Sequence, residues 1–105
     1  MSVLMTLRVR GDAKKLEEYS AANPDQLRSF AEAAKKYGMT AHRFYGTESE
    51  IMVADEWPDR ESFDAFFAEK GQEIGGMFQA AGVSEEPRPE FWHVLDTADK
   101  VGWGA

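Results

Sequence analysis

Apolar and polar residues alternate near the start of the chain, and this period of two predicts a β-strand. Every second residue from Val3 to Val9 is apolar, and a Gly-Asp pair follows. Two more strands are predicted at Met39–Gly46 and Ile51–Trp57. The short Thr-Glu-Ser turn between them indicates a β-hairpin. A last strand is expected over Glu90–Asp96, after two prolines.

Helical spacing predominates between these strands. Asp12 can cap a helix, and Asn-Pro-Asp-Gln at 23–26 is typical of a second helix start, so we expect a kinked or broken helix over 12–37. Asp59 can cap a later helix, in which Gly71 or Gly75-Gly76 interrupts an apolar stripe. That stripe consists of Phe63, Phe66, Phe67, Ile74, Met77 and Phe78. The order βαββαβ predicts an α+β, ferredoxin-like fold, whose helices cover one face of a four-stranded antiparallel sheet.

The hairpin turn determines which side chains of its two strands oppose each other. A turn with an even number of residues pairs His42 with Asp55 and Phe44 with Val53 on one face, which they share with Trp57. Opposed β-carbons lie about 4.5–5.5 Å apart, close enough for a hydrogen bond between the imidazole and the carboxylate. A turn with an odd number of residues would send His42 to the helix side and remove the pair.

The predicted sheet has more apolar bulk than two helices can cover. The first strand is apolar on both sides near its start, and Phe44, Val53, Trp57 and either Phe91 or Trp92 add to it. An uncovered face would expose an apolar patch on the order of several hundred Å2, near the upper limit for a monomer. We therefore expect a homodimer in which a two-fold partner packs against the open sheet face.

Composition narrows the class of function. A net charge of −7 without a basic cluster disfavours nucleic-acid binding. The lack of cysteine excludes disulfides and thiolate chemistry. No apolar run approaches the roughly 20 residues that span a bilayer, and we see no secretory signal, so no membrane partner and a cytoplasmic location are expected. We predict one domain over 1–96 and a flexible, Gly-rich tail over 97–105.

The end of the third strand and the start of the next helix carry a resemblance. Glu56-Trp57, followed by Pro-Asp-Arg-Glu-Ser-Phe-Asp-Ala-Phe at 58–66, is similar to the antibiotic biosynthesis monooxygenase-like (ABM-like) family of dimeric α/β-barrel proteins. The similarity spans Val3–Asp96. It implies a cavity in each subunit, between the sheet and the helices or the partner. Members include cofactor-independent monooxygenases of polyketide or quinol-like rings, haem-degrading enzymes, isomerases and proteins with no assigned activity.

The resemblance places Trp57 in the pocket, which predicts that its face is the open one and that Arg8 lies there too. On this interpretation His42 is a general base for a phenol or enol and Asp55 fixes its tautomer. Arg8 would hold the resulting anion, while Trp57 and Phe44 would contact a flat ring. Alternatively, the His–Asp pair lies near the rim of a dimer interface, Trp57 only closes the core and Arg8 is solvated. The alternate positions of the two hairpin strands are expected to lie under the helices; they are Arg43, Tyr45 and Met52.

Metal and haem chemistry are disfavoured. Haem-degrading relatives use an Asn on the first strand and a His on the second helix, whereas the only Asn here is Asn23 and no His lies between 59 and 81. His42 and His93 would lie on opposite sheet edges, about 14 Å apart, too far to share an ion. We therefore expect no metal and no cofactor.

The leading hypothesis is a small-molecule-binding homodimer that oxygenates a planar aromatic or polyketide/quinol-like substrate without a cofactor. One alternative is a non-catalytic ligand-binding or interaction module of the same fold. A second alternative is a cofactor-free isomerase or cyclase that uses the same proton transfer by His42.

Overall fold

The computed structural model describes residues 2–103 as a four-stranded antiparallel sheet with helices against one face. Met1, Gly104 and Ala105 lie outside the described residues, and with them the outer ends of the predicted domain and tail. The elements are β1 (Val3–Arg10), α1 (Ala13–Ala22), α2 (Pro24–Lys36), β2 (Ala41–Gly46), β3 (Glu50–Trp57), α3 (Arg60–Ala80) and β4 (Glu90–Trp92). The predicted ferredoxin-like order is confirmed, and the first helical region consists of two helices.

Side-chain caps explain two of the three helix N-termini. Asp12 and Asp59 each accept hydrogen bonds from backbone N–H groups of the following first turn, as predicted. Asn23 does not cap α2 with its side chain, because its amide donates to the carbonyl of Tyr19 at 3.0 Å instead. Pro24 still starts the helix, since it needs no N–H partner there. The glycines predicted to interrupt the apolar stripe do not break the helix, because α3 runs from Arg60 to Ala80 without a gap.

The strand order β2-β3-β1-β4 puts β1 in the middle of the sheet and β2 and β4 at its edges, as expected. The hairpin register is also confirmed, with His42 opposite Asp55 and Phe44 opposite Val53. Across the other ladder, Met5 of β1 lies opposite Asp55. These two registers align the side chains of β2, β3 and β1 in rows that cross the sheet.

The predicted assignment of the two sheet faces is wrong. Asp55, Trp57, His42 and Phe44 lie on the helix-covered face, because Asp55 pairs with Met5, whose side chain is buried under the helices. The hairpin fixes which residues share a face, whereas only the β1–β3 register decides which face that is. By the same alternation, three hairpin residues that were predicted under the helices lie on the open face instead, namely Arg43, Tyr45 and Met52.

The core lies between the sheet and the helices. Trp57 is fully buried and contacts two phenylalanines of α3, with ring centroids 5.6 Å from Phe63 and 5.4 Å from Phe66. Phe91 of β4 joins this cluster through Phe63, while Trp92 lies on the open face beside Leu4. The last strand is shorter than predicted, ending at Trp92 rather than at position 96.

Candidate functional site

A cavity of about 310 Å3 lies between the covered face of the sheet and helices α2 and α3. Pockets for small ligands usually measure about 300–1,000 Å3, so this one suits a compact molecule. Its walls are mostly aliphatic and aromatic side chains, among them Met5, Leu7, Phe30, Val53, Phe66 and Phe78. Such walls favour an apolar, ring-containing ligand over a phosphate or a sugar.

Two polar side chains from the hairpin face each other in this apolar lining. Nδ1 of His42 lies 2.6 Å from Oδ1 of Asp55, which confirms the predicted hydrogen-bonded pair. The carboxylate is buried, with 7% of its side chain exposed, whereas 33% of the His42 side chain is exposed. The pair therefore extends from the core to solvent, with the imidazole at the outer end.

The second oxygen of Asp55 is also hydrogen-bonded. The indole Nε1 of Trp57 donates to Oδ2 at 3.3 Å. Burial of a carboxylate is costly unless its oxygens have partners, and here each oxygen has one. Trp57 does not line the cavity and is fully buried, so the predicted stacking of its ring on a ligand is wrong for this structure. Its contact with the site runs through Asp55.

The edge strand β2 leaves one side of the cavity open. None of its residues is fully buried, because no further strand continues the sheet beyond it in residues 2–103. The imidazole of His42 packs edge-on against Phe44 at 4.9 Å between ring centroids. Phe44 in turn lies 6.5 Å from Phe78. With Nδ1 bound to Asp55, Nε2 is the ring nitrogen left for a ligand at this wall.

Arg8 does not belong to this site. Its side chain lies on the open face, because positions 4, 6 and 8 of β1 alternate with the buried positions. Nε and Nη2 of its guanidinium lie 3.3 and 3.2 Å from Oε2 of Glu50. The expectation that Arg8 shares a pocket with His42 is therefore wrong. Phe44 lies in the cavity wall, but its predicted role in substrate binding remains a prediction.

The sequence analysis missed Arg28. This residue of α2 lines the cavity and is the only cationic side chain among the described lining residues. It also pairs with Asp25 at 3.2 Å, one helical turn away, on the exposed side. Helical spacing alone could not place it, because the rotation of α2 against the sheet depends on tertiary packing.

Other ionisable groups lie away from the cavity. Glu69 raises the pKa of Tyr37 through a hydrogen bond and its negative charge, and the tyrosine ring packs edge-on against Phe66. In residues 2–103 no group of three or more His, Asp or Glu side chains converges as metal ligands. The expectation that the protein uses no cofactor stays a prediction. No helix described in that range is long and apolar enough to cross a membrane.

Comparison with solved structures shows which known proteins share the fold of this chain. No protein-family model matches the sequence, and no curated protein sequence matches it either. Solved structures do match. A dimeric ferredoxin-like protein from an uncultured marine organism superposes with a TM-score of 0.66 at 14% identity, over 91% of this chain and 98% of that one. A mutant form of SnoaB, a cofactor-independent oxygenase from Streptomyces nogalater, gives 0.63 at 17% identity, over 94% and 98%.

A third solved structure, described as an antibiotic biosynthesis monooxygenase, gives a TM-score of 0.62 at 12% identity over 90% and 99% of the two chains. The chain has the fold of the antibiotic biosynthesis monooxygenases. The predicted resemblance is thereby confirmed at the level of fold. Within this monooxygenase-like fold the Glu56-Trp57 motif has a structural reason, because Trp57 closes the core under α3 at the point where β3 ends.

Proposed function

We propose that this protein binds a small planar aromatic or polyketide-like molecule in the cavity and oxygenates it without a cofactor. The observation that carries the proposal is the His42–Asp55 pair in a cavity whose other walls are apolar except at Arg28. An apolar wall selects a ring, and the one hydrogen-bonded imidazole provides a base for it. The fold shared with a cofactor-independent oxygenase supports the same class of reaction.

The proposed chemistry begins with proton transfer. Nε2 of His42 takes the proton from a phenol or enol hydroxyl, and Asp55 stabilises the imidazolium that forms. The substrate anion is electron-rich enough to react with O2 directly. For an anthrone, the ring carbon that carries two hydrogens forms a bond to oxygen, and the peroxide receives the proton held by His42. Loss of water then leaves a carbonyl, with one oxygen atom in the product and one in water. The substrate supplies all the electrons, so no external reductant is needed.

Arg28 replaces Arg8 as the candidate cation of the site. A guanidinium binds carboxylate and phenolate groups through charge-assisted hydrogen bonds. Arg28 lines the α2 wall, but its side chain is 75% exposed and its guanidinium pairs with Asp25, so only an acidic group at the outer edge of a ligand could reach it while the ring lies near His42. This arrangement favours a ring with an acidic substituent.

A second copy of the chain is proposed to cover the open sheet face. Three large side chains of that face are exposed, namely Leu4 (41%), Tyr45 (51%) and Trp92 (50%). Val94 and Leu95, just beyond β4, are exposed as well. Two-fold packing of one sheet against another would remove these side chains from water.

A binding module without chemistry is the second candidate function. The observation that favours it is the scarcity of polar groups, since only His42, Asp55 and Arg28 interrupt the apolar lining among the described residues. Such a protein would hold a hydrophobic metabolite and leave it unchanged.

Oxygen consumption separates the two candidates. The purified protein is incubated with a panel of hydroquinones and anthrones while dissolved O2 and products are followed. We expect uptake with at least one anthrone and a loss of about 10²–10⁴-fold in rate for His42→Gln, the usual contribution of a general base. Arg8→Gln is the matched control on the other face and should keep the full rate. Tight binding without uptake would favour the module, and rearranged product without uptake would favour an isomerase.

A further inference from the structure

We propose that Trp57 is a positioning residue for His42, acting through Asp55, so that the cavity presents a proton acceptor and selects ligands with a free hydroxyl. This inference rests on the proposed function for its catalytic meaning. Its structural content concerns only the three hydrogen-bonded side chains.

The three side chains form a continuous series from the core to the cavity. Trp57 is held between Phe63 and Phe66 of α3. Its indole N–H donates to Oδ2 of Asp55, and Oδ1 of the same carboxylate meets Nδ1 of His42. Residues 55 and 57 lie on one face of β3 because side chains two apart point the same way. Both oxygens of the Asp55 carboxylate are thus hydrogen-bonded, and the group cannot rotate without breaking one of these hydrogen bonds.

The indole fixes the direction of one hydrogen bond, and the ionised carboxylate fixes the direction of the other. Indole Nε1 can only donate, so Oδ2 of Asp55 must accept. An ionised carboxylate accepts at both oxygens and therefore suits both neighbours. In that arrangement the proton of a neutral imidazole sits on Nδ1 and is donated to Oδ1. Nε2 then carries a lone pair and no proton.

This direction has a consequence for the ligand. A phenol or an enol can donate its hydroxyl proton to Nε2, whereas a methyl ether or a simple ketone offers only an acceptor. Two acceptors that face each other leave a hydrogen bond unmade, which selects against the ether. The cavity should therefore distinguish hydroxylated rings from rings of similar shape that lack a donor.

The test is nitrogen-15 NMR of the imidazoles, because the shifts of Nδ1 and Nε2 report the tautomer directly. In the intact protein we expect neutral His42 to be protonated at Nδ1. Trp57→Phe keeps an aromatic ring but removes the donor that holds Oδ2 of Asp55, so the carboxylate can rotate away from Nδ1 and we expect a mixture of both tautomers. Trp92→Phe is the matched control, because that indole donates to Oγ1 of Thr6 at 2.8 Å on the other face. A tautomer unchanged by Trp57→Phe would overturn the proposal.

A second measurement leaves Trp57 intact, in case its substitution prevents folding. In His42→Gln the carboxylate of Asp55 has a different partner, so the indole N–H resonance of Trp57 should shift while that of Trp92 stays in place. An unmoved Trp57 resonance would contradict the coupling.

Ligand selection is tested with 1-naphthol and 1-methoxynaphthalene as probes. We expect the naphthol to bind about tenfold more tightly and Trp57→Phe to reduce that ratio. Equal affinities in the intact protein would refute the selection. If the tautomer and the ratio behave as expected while no anthrone is oxygenated, the positioning role stands and only the oxygenase proposal fails.

Discussion

The two faces of the sheet have the same strands and the same alternation, yet they differ in what they can do. On the covered face Met5, Ile51 and Trp57 are almost completely buried, and Asp55 is hydrogen-bonded to both His42 and Trp57. On the open face exposed apolar side chains are mixed with charges that bind each other across strands. The covered face is completed within one chain, whereas the open face is the one that we propose a second copy covers. On these two proposals, ligand chemistry and dimerisation use different faces and can be tested separately.

The largest expected effect is on the covered face. Trp57→Ala removes a fully buried indole and leaves Asp55 without one of its donors, so we expect a loss of about 3–5 kcal/mol in the free energy of unfolding. Chemical denaturation measures it. Trp92 is the half-exposed indole of the open face, and Trp92→Ala should lower the free energy of unfolding by less than half as much. Equal losses would mean that the two faces do not differ in burial.

The next effect concerns the open face. Leu4→Arg places a charge on each side of the proposed two-fold interface, and opposed like charges cost several kcal/mol. We expect the dimer dissociation constant to rise about hundredfold in sedimentation equilibrium. Glu18→Arg, which adds the same side chain on the exposed surface of α1, should leave it unchanged. The Leu4→Arg chain should still bind a cavity ligand; loss of that binding would show that the site depends on the partner.

A smaller effect is expected in the helix that covers the site. Beyond the helix's own neighbouring backbone, no atom lies within 4 Å of a Cβ placed at Gly76, and glycine within a helix is disfavoured, so Gly76→Ala should stabilise the fold by about 0.5–1 kcal/mol. Thermal unfolding is the measurement. Gly71→Ala is the matched contrast, because the new Cβ would lie 3.2 Å from the ring of Phe67. This variant should be stabilised less than Gly76→Ala, or be destabilised. The reverse order would show that α3 packs differently against the cavity.

The smallest effect is expected for Arg8→Gln. An exposed ion pair such as Arg8–Glu50 contributes about 0–1 kcal/mol, so unfolding should change little. The variant should bind a hydroxylated aromatic ligand in calorimetry as tightly as the unaltered protein does, because Arg8 and the cavity lie on opposite faces of the sheet. A tenfold weaker ligand affinity in this variant would show that Arg8 contributes to the binding site after all.

Local pairing was predictable from the sequence and the identity of the face was not. A short turn with few possible geometries fixes which hairpin side chains meet, so the contact between His42 and Asp55 could be predicted. The face depends on how β3 pairs with β1, which is more than forty positions away in the chain. The alternation of β1 correctly placed Met5 under the helices, whereas only the family resemblance placed Trp57 on the open side. The two assignments conflict once Met5 and Asp55 are paired.

The short last strand has a similar non-local cause. β4 pairs with β1 in a register that puts Trp92 opposite Leu4. Because β1 begins at Val3, residues beyond position 93 have no strand to pair with, although their sequence is apolar enough for a longer strand. Alternation predicts that a strand can form, whereas its length is set by the neighbour. Arg28 was missed for the same kind of reason.

Methionine-methyl NMR during a ligand titration tests the division of the faces most directly. Met5, Met39 and Met77 line the cavity, whereas Met52 lies on the open face opposite Tyr45. With a hydroxylated anthrone as the ligand, we predict that the methyl resonances of the three cavity methionines shift and that the resonance of Met52 stays in place. A shift of Met52 with unmoved cavity methionines would contradict the account.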